Sequence, residues 1–259
     1  MKLLCAALLF SALPMLAAEP FTGTWKEDIT TRKASGKPTR IELSNGIYKC
    51  LSCNPPYTVK ADGTDQAVPG QPGFDTLSVR IIDDRSAELI AKKAGKILSR
   101  AKYTVSSDGA TRTNEGTSYP AASDKPVTST TTSKRVGNSM AGMHIVSGSW
   151  VPDKMVSLSE NALLNTFEQT ADGLKWSSAT GEHYDAKLDG KVYPVAGSRT
   201  WDKVTLKRLG PNSIEETDLN GDKVLGTTRY TVSPDGQSMT LEARNTRTGR
   251  TITSILRKQ

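Results

Sequence analysis

The sequence predicts an all-β protein of two tandem antiparallel up-and-down β-barrels, related by internal duplication and with little helix. Three observations carry this expectation. First, the chain repeats itself: Tyr57, Lys60, Asp62, Gly63, Val68, Gly70 and Asp75 return as Tyr184, Lys187, Asp189, Gly190, Val195, Gly197 and Asp202, each displaced by 127 positions. The run Tyr103-Thr104-Val105-Ser106 returns as Tyr230-Thr231-Val232-Ser233 at the same displacement. Solenoid and propeller repeats recur every ~20–50 residues, so this period doubles a whole domain. Second, apolar and polar residues alternate, as in Leu77-Ser78-Val79-Arg80-Ile81, which is the period of a half-buried strand. Third, Asn-Gly and Asp-Gly pairs punctuate the chain, and these supply the positive φ values that tight hairpins need.

Taken in chain order, residues 1–18 read as a secretory signal. Met1-Lys2 is a short basic start, Leu3 to Phe10 an apolar run, and Ala17-Ala18 a small-residue cleavage site. That run is shorter than the ~20 residues needed to span a bilayer, so the chain is expected to be secreted or periplasmic and not membrane-spanning. Phe21-Thr22-Gly23-Thr24-Trp25 opens the first copy and Val146-Ser147-Gly148-Ser149-Trp150 the second. The expected barrels are 19–136 and 141–259, with the boundary near Gly137-Asn138-Ser139. Turns are expected at Asn45-Gly46, Asp62-Gly63, Asp108-Gly109, Asp172-Gly173, Asp189-Gly190 and Asp235-Gly236. Ile97, Ala101, Tyr103 and Val105 mark a strand, as do Val224, Tyr230 and Val232, and Met239, Leu241 and Ala243. A loop at Tyr119 to Asp124 precedes a last strand of the first copy, Val127 to Arg135. Ser159 to Phe167 reads either as a short helix or as a strand with Leu163 and Phe167 on one face.

Composition narrows the function classes. Lysine and arginine exceed acids, for a net charge of +7, but the charges are interspersed and no base-stacking aromatic cluster accompanies them. Nucleic acid is therefore not expected as a partner. Only His144 and His183 are present, and no Gly-x-Ser-x-Gly elbow, His-Glu-x-x-His or phosphate-cradling glycine loop occurs. No catalytic residue, metal or cofactor is expected. Asp83-Asp84 is an acidic pair, but its counterpart is Gly210-Pro211, which marks a hairpin tip. Cys50 and Cys53, in an exported chain, are expected to form a local disulfide. Their counterparts are Ser177 and Thr180, so this bridge belongs to one copy alone.

Gly-x-Trp on a first strand, successive Asp-Gly hairpins and a basic residue on a last strand resemble the lipocalin-like, or calycin, barrels. They are similar in particular to the small lipocalin-like domains of secreted bacterial proteins of unknown function. In that family the tryptophan plugs one barrel end and a late arginine or lysine packs across it. The resemblance implies Trp25 with Arg135 and Trp150 with Arg257 as structural pairs.

Where the copies disagree in polarity, function is expected. Arg112 and Asn114 align with Met239 and Leu241, while Ile81, Leu89 and Ala91 align with Arg208, Glu216 and Asp218. A buried, unpaired charge costs several kcal/mol, so such positions are exposed at a rim, paired, or lining a wet pocket. Arg112, Asn114, Arg208, Glu216 and Asp218, together with the tyrosines Tyr57 and Tyr184, are the candidate ligand-binding residues. The expected function is an exported, non-enzymatic binding module for a small or polymeric ligand. The alternative is a cell-envelope scaffold that binds another protein.

Overall fold

The computed structural model describes residues 19–71 and 73–259. The expected signal segment, 1–18, lies outside the described residues. In order the strands are β1 (Gly23–Ser35), β2 (Thr39–Ser44), β3 (Ile47–Cys50), β4 (Tyr57–Lys60), β5 (Asp62–Ala67), β6 (Thr76–Asp83) and β7 (Ser86–Lys93). They continue with β8 (Lys96–Val105), β9 (Thr111–Ser118), β10 (Val127–Val136), β11 (Gly148–Leu158), β12 (Leu164–Gln169), β13 (Gly173–Ser178) and β14 (His183–Lys187). The last six are β15 (Asp189–Pro194), β16 (Lys203–Gly210), β17 (Ser213–Asn220), β18 (Lys223–Val232), β19 (Ser238–Asn245) and β20 (Thr251–Lys258). The segment read as helix or strand divides: Glu160–Ala162 is a single 3-10 turn, and Leu164–Gln169 is strand.

The strands form two antiparallel, nearly closed ten-stranded barrels. In the first, β2 to β11 follow one another as a meander, and β11 returns to pair with β2, Gly148 opposite Ile41 and Trp150 opposite Thr39. In the second, β12 to β20 form the meander, and β1 fills the place between β12 and β20. This departs from a division at Gly137. Residues 137–147 join β10 to β11 inside the first barrel, the chain passes between barrels at 159–163, and the N-terminal strand belongs to the C-terminal barrel. β1 and β11 carry the same Gly-x-Trp pattern and trade places: β11 fills the position between β2 and β10, and β1 that between β12 and β20.

The two seams close differently, for a reason written in the sequence. In the second barrel the backbone N–H of His183 donates to the carbonyl of Ala196 at 3.1 Å, and the N–H of Ala196 donates back at 2.9 Å. Their counterparts at the 127 displacement are Pro56 and Pro69, which have no N–H to donate. The first barrel instead uses the Gln66 side chain: its Oε1 accepts from the Lys60 N–H at 2.8 Å and its Nε2 donates to the Lys60 carbonyl at 2.9 Å.

Each barrel has its own core, and each core is floored by a buried tryptophan. Trp25 sits with Phe167, Leu174, Leu206, Ile214 and Leu256, and Trp150 with Ile41, Leu43, Val79, Ala87 and Val105. The indole N–H of Trp25 donates to the Phe21 carbonyl at 2.8 Å, and that of Trp150 to the Val146 carbonyl at 3.0 Å. A cation covers each ring. Arg135 lies 4.2 Å from the Trp150 ring centroid, and Lys258 5.4 Å from that of Trp25. The pairs implied by the resemblance, Trp25 with Arg135 and Trp150 with Arg257, are therefore corrected. Strand exchange puts Arg135 over the other tryptophan. The β1–β20 register sets Lys258, not Arg257, opposite Trp25, and Arg257 turns outward to Asp28 at 3.2 Å.

The motif glycines make room for these cations. A Cβ on Gly148 (φ +142°) would collide with Arg135 Nη1, and one on Gly23 (φ +136°) would lie 2.8 Å from Lys258 Cε. The repeated aspartates anchor turns. Asp75 accepts from the Ala94 N–H and Asp202 from the Gly221 N–H, both at 2.9 Å, each pinning the next hairpin. Asp108 and Asp235 accept from Ser106 and Ser233 at 2.5 and 2.6 Å, and these contacts hold both carboxyls below the usual carboxylate range. Val224, expected to face inward with Tyr230, is exposed at its hairpin end.

Candidate functional site

In an antiparallel meander, successive connections lie at alternate ends of the barrel. The tryptophan end of the first barrel therefore holds residues 106–110 and 137–147, and its open end holds 51–56, 68–75, 94–95 and 119–126. By the same alternation, the open end of the second barrel holds 179–182, 195–202, 221–222 and 246–250. Contacts between the barrels join these open ends. Arg247 Nη1 donates to the Asn54 carbonyl at 3.1 Å and Arg199 Nη1 to the Tyr119 carbonyl at 3.5 Å. A Cβ on Gly181 would lie 2.7 Å from the Ala122 Cβ. The two mouths thus face one another, and a cleft of about 510 Å³ lies between them. From the first barrel it is lined by Phe74, Ala91, Ser99 and Tyr119, and from the second by Asn165, Trp176, Glu182 and Arg199.

Below its mouth, the first barrel is basic and phenolic. β9 sets Arg112 opposite Val105 on β8 and Ser133 on β10, one layer above Trp150, and Asn114 opposite Tyr103 and Thr131. The Arg112 guanidinium is buried and lies 4.5 Å from the Tyr103 ring centroid and 5.0 Å from that of Trp150. Burial pulls its proton affinity below the ordinary guanidinium value, and Tyr103 and Tyr48 partly restore it. Tyr48 and Tyr57 pack beside each other, 6.4 Å between centroids, and burial raises both phenols well above the usual value. Nε and Nη1 of Arg112 and Oδ1 of Asn114 are buried without a hydrogen-bond partner among the described residues.

The second barrel is acidic in the same region. Tyr184 Oη donates to Glu216 Oε2 at 2.5 Å, deep in the barrel. Burial first, and then the neighbouring Asp218, hold the Glu216 carboxyl well above its ordinary value. Asp218 is pushed up to about 6, chiefly by burial, against the lowering effect of its hydrogen bond with Glu216. Its Oδ1 has no partner among the described residues, and the side chain lines a pocket of about 440 Å³ with Thr228, Ala243 and Arg250. Trp176 stacks on Tyr184 at 5.3 Å and tilts against Trp201 at 5.8 Å, so the acids sit beneath an aromatic wall.

Of the seven candidate ligand-binding residues, six face the barrel interiors: Tyr57, Arg112 and Asn114 in the first, and Tyr184, Glu216 and Asp218 in the second. Arg208 does not. It is exposed at the rim of β16, within 3.4 Å of the Pro211 carbonyl, and its counterpart Ile81 is exposed too. Cys50 and Cys53 are at disulfide-bonding distance, with Cα atoms 5.4 Å apart. His144 lies at the tryptophan end of the first barrel. Its Nε2 is 2.7 Å from the Asp83 carbonyl and its Nδ1 accepts from the Val146 N–H at 3.2 Å, which assigns the Nε2–H tautomer. His183 sits on the second seam. Sequence reasoning missed the residues that line the cleft, among them Phe74, Trp176 and Arg199. Trp176 was signalled only by being a tryptophan where the other copy has none.

Among the described residues no group of three or more His, Cys, Asp or Glu side chains is placed to share a metal ion, and no helix is long and apolar enough to cross a membrane. Compared with known proteins, the chain matches no family model and no curated relative.

Proposed function

We propose that the chain is an exported binding module that holds a small, partly polar ligand where its two barrel mouths meet, and performs no chemistry on it. One observation carries this reading: the cleft of about 510 Å³ between the mouths, with apolar walls from Phe74, Leu98 and Trp176 and a few polar groups at Asn165, Glu182 and Arg199. That volume and that mixture are those of small-molecule sites. Export is supported by the composition of residues 1–18 and by Cys50 and Cys53 at bonding distance, since disulfides persist in oxidising compartments.

Native mass spectrometry of the protein taken from its own envelope tests the proposal. The expected result is a bound molecule of small-metabolite mass that is lost in Trp176→Ala. A protein recovered empty but bound to another protein would replace the proposal with the scaffold reading. The Glu216–Asp218 pair favours one second reading, acid–base chemistry on the bound molecule. Conversion of that molecule by the purified protein, abolished in Glu216→Gln, would establish it.

A further inference from the structure

We infer that the interior of the first barrel is a receptor for a small organic carboxylate, seated by Arg112. This rests on the binding-module reading and names a ligand class for the interior of one of its barrels. Arg112 is only 7% exposed, and it forms no ion pair among the described residues. A guanidinium stays charged in proteins, so it cannot escape burial by losing its proton. Aromatic rings of Tyr103 and Trp150 lie against it, but its N–H donors lie in its own plane, and Nε and Nη1 remain unsatisfied. Leaving a buried charge unpaired is among the costliest arrangements a core can hold.

The fold does not require this arginine. Met239 occupies the same place in the second barrel and is fully buried. What the first barrel gains is a cation, an amide and phenols close together in its interior. Tyr48 and Tyr103 carry hydroxyls able to donate to an anion, and Asn114, whose Oδ1 finds no partner, presents donors from its Nδ2. Planar carboxylate oxygens match a guanidinium fork, and charge-assisted bonds of this kind are about twice as strong as neutral ones. The barrel interior offers one buried cation among apolar side chains that include Leu89 and Ala101, which suits a single carboxylate on an apolar body rather than a dianion. The approach is also electropositive. Arg247 reaches the Asn54 carbonyl at the mouth, and Arg250 packs beside Gly36 in the segment that leads into β2.

Benzoate serves as the probe on the full chain, with benzylamine and inorganic phosphate as comparators, read by the NMR shift of the Trp150 indole N–H. The expected result is saturable binding of benzoate, no binding of benzylamine, and affinity reduced at least about tenfold in Arg112→Met. Arg112→Met carries the residue that the second barrel already buries, and its dispersed spectrum verifies folding. Arg112→Lys keeps the charge without the fork and is expected to fall between the two. Benzoate binding that is unchanged in Arg112→Met overturns the inference. Phosphate binding without benzoate binding overturns the carboxylate assignment. If benzoate fails while a neutral or cationic molecule is recovered in the Trp176 cleft, this inference falls and the binding-module reading stands. If neither is found, both fall.

Discussion

Trp25 and Lys258, separated by nearly the whole chain, are direct neighbours across β1 and β20, with Lys258 Nζ 5.4 Å from the indole centroid. The backbone runs on from this contact, Gln259 N–H donating to the Thr24 carbonyl at 2.9 Å. The N-terminal strand therefore closes the C-terminal barrel. The link from β1 to β2 then leads straight into the first barrel, and the two open mouths are held face to face.

The glycine of each Gly-x-Trp is expected to respond to alanine in proportion to how firmly its cation is held. Arg135 donates to the carbonyls of Gly109, Ser147 and Ile145 at 2.7, 2.6 and 2.6 Å and cannot swing away, whereas Lys258 ends in a flexible chain. Gly148→Ala should lose about 3 kcal/mol or more, from a strained φ and overpacking together. Gly23→Ala should lose about 1–2 kcal/mol, mostly strain. Urea unfolding of both variants checks the ranking; equal losses would contradict the account.

Ala94 is a non-glycine residue in the left-handed region, φ +49°, while its counterpart Gly221 has φ +58°. Ala94→Gly should relieve about 1 kcal/mol of that strain, offset in part by greater freedom of the unfolded chain. A rise in Tm of a few degrees is expected.

Asp218 gives the second barrel a pH response. Its folded value is pushed up from 3.8 to about 6, so between these limits the native state keeps a proton that the unfolded chain has released. The part of the stability that Asp218 carries is full below pH 3.8, falls as pH rises through about 6 and levels off above, while Glu216, also held up by burial, adds a decline of the same sign. Asp218→Ala, which installs the first barrel's residue, should remove Asp218's share of this decline and gain about 2 kcal/mol at pH 7 relative to pH 4. Urea midpoints at the two pH values measure it, and a variant that keeps the parent's full decline would contradict the assignment.

The turns, the strand faces and the odd charges were legible in the sequence because each is a local matter. Asp108-Gly109 and Asp235-Gly236 specify hairpins by themselves, and comparing the copies picked out Arg112 and Glu216 as polar intrusions into apolar positions. Partners were not legible. Gly23-Thr24-Trp25 and Gly148-Ser149-Trp150 carry the same local pattern, so nothing local decides which barrel each strand enters. Arg257 and Lys258 point to opposite faces, and a one-residue difference in register decides which of them covers Trp25. The cleft was invisible because Tyr119, Trp176 and Arg199 come from loops and strands that meet only when the mouths do. Arg208 was misplaced because an inward-facing position ceases to be interior once its strand passes the rim.

Strand exchange is tested most directly by moving β1 to the other end of the chain. Gln259 lies beside Thr24, so residues 19–36 joined after Gln259 by a short loop form an ordinary β20–β1 hairpin. Residues 37–160 should unfold cooperatively as a complete barrel, and 159–259 should be unfolded alone but folded when 19–36 is attached after Gln259, as read by near-UV circular dichroism and urea unfolding. Cooperative folding of 159–259 without β1, or of 19–136 and 138–259 as independent monomeric barrels, would contradict the account.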